Sequence, residues 1–201
     1  FRSHLEGLTV AVFDGVHGNP TASQVMAGAA AFRAHEADCV IGFGGGAALD
    51  VAKVVGLMAV HEGDVIEYVW DHPQVRPIVH PLPHFVALPT TSGTGSEVGR
   101  SAVVAENDSH VKRAVFSAHL LARAVFADPE LTLALPPAIT AATGIDALTH
   151  AIEAFVGNWK TPWGEINRFQ RLNGVCCSMA RKKHTCAFRI YTGWCQPFVE
   201  R

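Results

Sequence analysis

The sequence predicts an α/β fold with a parallel sheet, followed by the start of an all-helical region. Short apolar runs alternate with segments of helical period, turn residues separate them, and the chain from Pro136 onward is Ala-rich with one apolar face. The order strand, helix, strand, helix, strand is typical of parallel sheets, because parallel neighbours need a crossover connection. We therefore divide the chain into an α/β domain (residues 1–135), the first helix of a helical domain (136–158) and a tail (159–201).

The elements are predicted as follows. Short apolar or β-branched runs bounded by Gly, Pro or Asp indicate buried strands at residues 8–13, 39–43, 85–88 and 124–128. Two further runs indicate a strand pair at residues 98–105 and 112–116. Ala-rich segments of helical period predict helices at residues 22–35, 47–60 and 140–156. Thr21 can cap the first of these helices.

Composition limits the class of protein. Of the 201 residues, 49% are hydrophobic and 17% are charged, which is enough apolar material for a core. No run approaches the roughly 18 consecutive apolar residues of a membrane span, and the first residues lack the pattern of a signal peptide. We expect a soluble, cytoplasmic protein without a membrane partner. Because the chain begins at Phe1 and reaches an apolar run almost at once, we also expect an upstream portion to be missing.

Charge is distributed unevenly along the chain. Residues 1–158 carry 16 acidic and 8 basic side chains, whereas residues 159–201 carry 2 and 8. The tail also holds four of the five cysteines and three of the four tryptophans. This shift predicts a boundary near Asn158, and the tail is interpreted as translation in another reading frame, a fusion or a genuine basic extension.

The tail itself suggests no particular partner. It lacks the interleaved aromatic and basic residues of a known nucleic-acid-binding module, so we expect no nucleic-acid partner. Four tail residues that could hold zinc follow no common ligand spacing: Cys177, His184, Cys186 and Cys195.

The glycine-rich segment at residues 42–50 is the first candidate ligand site. Its backbone can approach a ligand closely, and the start of the following helix offers N–H groups to a phosphate. It fits the pattern G-x-G-x-x-A, but a tight turn that binds nothing is an equal alternative for this segment alone. Asp14, at the end of the first predicted strand, can bind ribose hydroxyls and repel a 2′-phosphate. For this residue alone, a simple Asp-Gly turn is the more common explanation.

Two further segments carry candidate chemistry. Residues 89–97 offer several hydroxyls and two glycines directly after a strand, which favours a phosphate, ribose or nicotinamide site over a linker. Asp146 and His150 lie four apart on a predicted helix, so that both side chains can hold one cation on the same face. Mixed oxygen and nitrogen donors suit iron or zinc. For an isolated pair, a local hydrogen bond in a packed helix is the more common explanation.

Together these segments resemble the iron-containing alcohol dehydrogenase family. The resemblance covers about residues 5–158 and rests on FDGVHGNPT, GFGGGAALDVAK and VALPTTSGTGSEV, joined by FADPELTLALPP and AATGIDALTHAIEAF. It implies a Rossmann-like nucleotide-binding domain, followed by the start of an all-helical metal-binding domain that is largely missing. It also implies an oxidoreductase that transfers a hydride between NAD and an alcohol or aldehyde, with Fe²⁺ as Lewis acid. Full-length relatives are expected to be homo-oligomers.

The resemblance also assigns residues. In similar enzymes an aspartate contacts the ribose, the glycine segment holds the pyrophosphate, and threonines and a lysine line the cofactor site. The matching NAD-binding positions are Asp14, Gly45, Gly46, Ala47, Asp50, Thr90, Thr91, Thr94, Lys112 and Leu131. Asp146 and His150 match two ligands of Fe²⁺, with Zn²⁺ as an alternative. Two further histidine ligands have no recognisable match after Val156, and no catalytic side chain is assigned.

Two alternatives stay open at this point. The chain could be an inactive, truncated or frameshifted remnant, since two metal ligands are not recognised in its tail. It could also belong to the zinc-dependent branch that contains glycerol dehydrogenase and dehydroquinate synthase, although the loop after the third strand in that branch usually differs from PTTSGTGSE.

Overall fold

The computed structural model describes residues 5–156, apart from the side chains of residues 154–156. The interpretations of the tail at residues 159–201 therefore lie outside the described part of the chain. The described residues contain three α-helices: α1 (Ala22–Ala34), α2 (Gly46–Val60) and α3 (Pro137–Val156). The strands are β1 (Cys39–Gly44), β2 (His84–Pro89), β3 (Ser101–Ala105), β4 (Lys112–Phe116) and β5 (Ala124–Val125). Short 3₁₀ turns span Val65–Tyr68, Ser96–Val98, Ala118–Leu120 and Pro129–Thr132.

The main sheet is parallel, as predicted. Its order is β1-β2-β5, and β1 pairs with β2 from Cys39 opposite His84 to Gly44 opposite Pro89. The carboxyl ends of β1 and β2 therefore meet at one edge of the sheet, where ligands bind in many open α/β folds. The predicted strand pair is also confirmed, because β3 and β4 form an antiparallel hairpin.

The second helix is at the centre of the fold. It packs against α1, β1 and β3, and nine of its residues are buried. A helix that is apolar on nearly all sides is suited to such a position. Its neighbour α1 begins with a capping box, in which Thr21 Oγ1 accepts from the Gln24 amide and the Gln24 side chain accepts from the Thr21 amide. The predicted cap at Thr21 is thereby confirmed.

The predicted strand at residues 8–13 is wrong. The structure assigns no strand to these residues, and the side chains of Leu8 and Val12 are 67% and 61% exposed. The segment lies along α1 instead: the carbonyl oxygen of Thr9 accepts from His35 Nε2 at 3.2 Å, and the Phe13 ring lies beside Gly28. An apolar, β-branched run favours a strand only where a neighbouring strand pairs with it, and periodicity does not reveal that neighbour.

Burial of the remaining strands also differs from the prediction. The strand β1 lies at one edge of the described sheet, with Ile41 38% and Phe43 47% exposed, so that it is not fully buried. The strand predicted at residues 124–128 is only two residues long, because pairing with β2 stops after Val125. The predicted helix near the end of the described region is confirmed as α3. Its apolar face is exposed at Ile145, Leu148 and Ile152. Within residues 5–156 no helix has the length and apolar character that a membrane crossing requires.

Candidate active site

A cavity of about 530 Å³ lies beside the start of α2. Its walls come from five places: the residues just before α1, the start of α2, the loop after β2, the β3–β4 hairpin and α3. Seven of the twelve residues assigned from the sequence line it: Gly46, Ala47, Asp50, Thr94, Lys112, Asp146 and His150. Its volume lies within the range of about 300–1,000 Å³ typical of small-molecule sites.

Three glycines, residues 44–46, connect β1 to α2 and are called the glycine turn below. Gly44 has φ 149°, a backbone conformation that a β-carbon disfavours, and an added β-carbon would lie 2.8 Å from that of Ala48. Gly45 is the N-cap of α2 and offers no side chain to its first N–H groups. The first turn of α2 also contains no acidic residue, so no carboxylate within that turn neutralises its positive end.

The loop after β2, residues 90–99, lies directly on the glycine turn and is called the hydroxyl loop. The Thr90 amide donates to the Gly44 carbonyl at 2.9 Å. A β-carbon on Gly45 would lie 3.2 Å from Thr91, and one on Gly46 would lie 2.8 Å from Thr94 Oγ1. The Thr94 hydroxyl therefore lies close to the N–H groups at the start of α2. This combination suits an anion such as a phosphate.

A buried ion pair lies beneath the hydroxyl loop. Lys53 Nζ lies 3.7 Å from Asp50 Oδ1, and the Lys53 side chain has no exposed surface. Burial lowers the pKa of Lys53, an effect that the carboxylates of Asp50 and Glu97 oppose. Burial also raises the pKa of Glu97, which the charge of Lys53 opposes. The attraction between Lys53 and these carboxylates thus offsets part of the cost of burying the ammonium group.

The metal-ligand candidates face the same cavity. Asp146 and His150 lie one turn apart on α3, are both half-buried and both line the cavity. Their carboxylate oxygen and imidazole nitrogen suit a divalent transition metal. They supply two donors, and residues 5–156 contain no cluster of three or more His, Cys, Asp or Glu residues arranged to hold a metal ion.

Five of the assigned residues do not line the cavity. Gly45, Thr90 and Thr91 lie behind its wall, in the contact between the glycine turn and the hydroxyl loop. Leu131 lies half-buried in the 3₁₀ turn Pro129–Thr132. Asp14 is exposed, because the segment before it does not form the strand that would hold it at the sheet edge. The cofactor roles of these residues stay predictions.

The sequence matches a known family over most of the elements that build the cavity, from α1 to the hairpin, but not over α3. A profile described as iron-containing alcohol dehydrogenase matches residues 1–129, which is more than half of the chain. The chain belongs to the iron-containing alcohol dehydrogenase family.

Named relatives of this family member are dehydrogenases. The chain is 39% identical to a 4-hydroxybutyrate dehydrogenase from Cupriavidus necator, over 83% of this chain and 47% of the relative. It is 41% identical to a 1,3-propanediol dehydrogenase from Klebsiella pneumoniae, over 78% of this chain and 39% of the relative. The chain thus spans less than half the length of these two relatives.

Solved structures of the family share the fold. A 1,3-propanediol oxidoreductase superimposes with a TM-score of 0.72 at 40% identity, covering 80% of this chain and 41% of that one. A sulfoacetaldehyde reductase from Bifidobacterium kashiwanohense, solved in complex with NAD⁺, gives a TM-score of 0.72 at 27% identity, covering 88% and 52%. These matches agree with the α/β architecture predicted from the sequence.

Several cavity residues of this iron-containing alcohol dehydrogenase family member were not predicted from the sequence. Asn19 reaches the cavity because the Pro20 carbonyl accepts from the Ala105 amide at 2.7 Å, which joins the start of α1 to the hairpin. Ser96 and Ser101 also line the cavity, and their carbonyl oxygens accept hydrogen bonds from the buried Lys53 ammonium group. The sequence did contain an indication that Lys53 is important, because it is the one cation of α2 and follows Asp50 by three residues on an otherwise apolar helix.

The close approach at Gly46 predicts the effect of adding a methyl group there. Gly46→Ala places a β-carbon 2.8 Å from both Thr94 Oγ1 and Cγ2, so the hydroxyl loop has to move. We expect a loss of about 1–3 kcal/mol in the free energy of unfolding, which urea titration would measure.

Gly56→Ala is the matched control on the same helix. Its β-carbon would meet no atom closer than 3.9 Å. It should therefore stabilise the chain by about 0.5–1 kcal/mol, as Ala does relative to Gly inside helices. A Gly46→Ala variant as stable as the parent would show that the loop does not lie against the turn.

Proposed function

We propose that this chain binds NAD and contributes to hydride transfer between NAD and the alcohol or aldehyde group of a small molecule, with a divalent iron as Lewis acid. One observation carries the proposal: the start of α2, the hydroxyl loop and the Asp146–His150 pair all line the same cavity. A nucleotide held by the first two would extend towards a metal held by the third. The whole protein's substrate and assembly, including a homo-oligomer and a cytoplasmic location, are part of the same proposal.

The pyrophosphate of NAD is proposed to bind at the glycine turn. The N–H groups of Gly46 and Ala47 lie at the positive end of α2, and the Thr94 hydroxyl lies beside them. Lys112, exposed at the start of β4, adds a positive charge to the same cavity. Backbone dipoles, a hydroxyl and a lysine together stabilise a doubly charged group. A related sulfoacetaldehyde reductase that was solved with NAD⁺ supports the choice of cofactor.

Asp50 is proposed to act on the cofactor indirectly. Its Oδ1 accepts from the Ser96 hydroxyl at 2.6 Å, and its Oδ2 accepts from the Val103 amide at 3.0 Å. Each carboxylate oxygen therefore already holds a segment of the cavity wall. A direct contact from this carboxylate to a pyrophosphate would also be repulsive, because both groups are anionic.

Asp146 and His150 are proposed to hold the metal, with the remaining ligands outside residues 5–156. A divalent iron bound there would polarise the carbon–oxygen bond of the substrate as a Lewis acid. Zinc is the alternative, since the same donors accept it. The residues of this chain would then hold the nucleotide and the metal in one cavity. The names of the relatives suggest an alcohol as substrate and do not fix its length, since they include a 1,3-propanediol dehydrogenase and a long-chain-alcohol dehydrogenase.

A second candidate function is nucleotide binding without turnover. The observation in its favour is that residues 5–156 contain no group of three or more His, Cys, Asp or Glu residues arranged to hold a metal ion. The nucleotide-binding elements would be retained in such a protein, while alcohol oxidation would not.

Asp14 is expected to make the chain prefer NAD over NADP. A carboxylate near the adenosine ribose accepts hydrogen bonds from its hydroxyls and repels a 2′-phosphate. We expect NADH to bind more tightly than NADPH, and Asp14→Gly to narrow that difference by about tenfold, which corresponds to 1.4 kcal/mol. Fluorescence titration of both cofactors would measure it. If the parent chain bound NADH and NADPH with equal affinity, Asp14 would not be a ribose-binding residue.

If Asp146 and His150 hold the metal, we expect a weak but specific site. His150→Ala removes the imidazole donor, and Asp146→Ala removes the carboxylate. Loss of a residue that only supports a metal ligand lowers metal affinity by roughly 10- to 100-fold, and each of these substitutions should lower the affinity for Fe²⁺ or Co²⁺ by more than that. Metal titration followed by elemental analysis would measure this. His119→Ala is the control, because His119 lies in an exposed 3₁₀ turn outside the cavity. Metal binding that survives both α3 substitutions would contradict the assignment.

A further inference from the structure

Lys53 is a charged residue in the middle of the apolar helix α2. It is 2% exposed and, with His61, one of two buried polar or charged residues in the part of the chain that the structure describes. Taking an ammonium group out of water is costly unless hydrogen bonds and a counter-charge replace the lost hydration. A hydrophobic residue would fill this position at lower cost, so the contacts of the ammonium group indicate its role.

All three protons of the ammonium group are used within the chain. Nζ donates to the Ser96 carbonyl at 2.6 Å, to Ser96 Oγ at 2.9 Å and to the Ser101 carbonyl at 2.8 Å. An ammonium group has three donors, so none is left for a ligand. Lys53 therefore does not contact the cofactor directly, although it lies two turns from the start of the helix that is proposed to bind it.

The accepting groups belong to the cavity wall. Ser96 lies in the hydroxyl loop and Ser101 is the first residue of β3, and both line the cavity. Lys53 thus holds the two ends of the segment 96–101 to α2. Asp50 strengthens the same attachment, since it accepts from the Ser96 hydroxyl and the Val103 amide.

We propose that Lys53 is a positioning residue that sets the shape of the cofactor cavity by fixing residues 96–101 to α2. The glycine turn determines how closely the hydroxyl loop can approach, and Lys53 determines where its far end lies. The expected effect of Lys53 on cofactor affinity rests on the proposed binding of NAD. The attachment of residues 96–101 to α2 rests only on the hydrogen bonds of Lys53.

Hydrogen exchange tests the structural part. In Lys53→Met the amides of Val98, Gly99 and Val103 should exchange about tenfold faster relative to those of α1, as local opening without global unfolding predicts. Leu57→Ala is the matched control: Leu57 is fully buried on the same helix and packs into the core with Val54 and Met58. It should lower overall stability without a selective change in residues 96–103.

NADH titration tests the functional part. Lys53→Met should raise the Kd by about tenfold, equivalent to 1.4 kcal/mol. The slope of log Kd against log salt should stay that of the parent chain, because no charge that touches the phosphates has been removed. A slope that falls in Lys53→Met would show direct contact with a phosphate and overturn the proposal.

Ser96→Ala offers a second test of the attachment. Ser96→Ala removes one of the three acceptors without leaving a charge unpaired, and it should speed exchange of the same amides to a smaller degree even if Lys53→Met does not fold. Equal protection of residues 96–103 in the Ser96→Ala and parent chains would overturn the positioning role. If the parent chain did not bind NADH, the proposed function would be contradicted. The hydrogen-exchange measurements would still test whether Lys53 fixes residues 96–101 to α2.

Discussion

Because Gly45 and Gly46 carry no side chain, the hydroxyl loop can lie directly on the start of α2, and the rest of the cavity depends on that contact. A β-carbon on Gly46 would lie 2.8 Å from Thr94, so a larger residue would push the loop away. The parallel register of β1 and β2 brings the two segments to the same sheet edge. Backbone N–H groups and hydroxyls then meet where the dipole of α2 favours an anion.

The cavity brings together two groups of residues that lie far apart in the sequence. Its proposed nucleotide side is formed by the start of α2 and the hydroxyl loop, and its proposed metal side by Asp146 and His150 on α3. The packing of α3 brings the two sides together, since a β-carbon on Gly93 would lie 2.8 Å from the Thr143 carbonyl. The candidate site therefore lies at the boundary between the proposed nucleotide-binding and helical domains, which is a common place for ligand sites.

Much of the fold could be predicted because local patterns and global packing agree. The helix α1 followed from its Thr21 cap and alanine content, and the glycine turn followed from glycines between a strand and a helix. The prediction of a strand at residues 8–13 was wrong, because a strand depends on a neighbouring strand that the local sequence does not reveal. Lys53 was missed for a similar reason: its partners Ser96 and Ser101 are more than 40 residues away, and only the folded chain brings them together.

The start of α2 and the hydroxyl loop are proposed to form the pyrophosphate site of NAD. Amide chemical shifts recorded during titration with ADP-ribose, which lacks the nicotinamide and needs no metal, test this assignment. We expect the shift changes to be concentrated at Gly45, Gly46 and Ala47 and in residues 90–99, with little change in α1. If no saturable change occurred, or if the changes were centred on another surface, the assignment of the pyrophosphate site would be wrong.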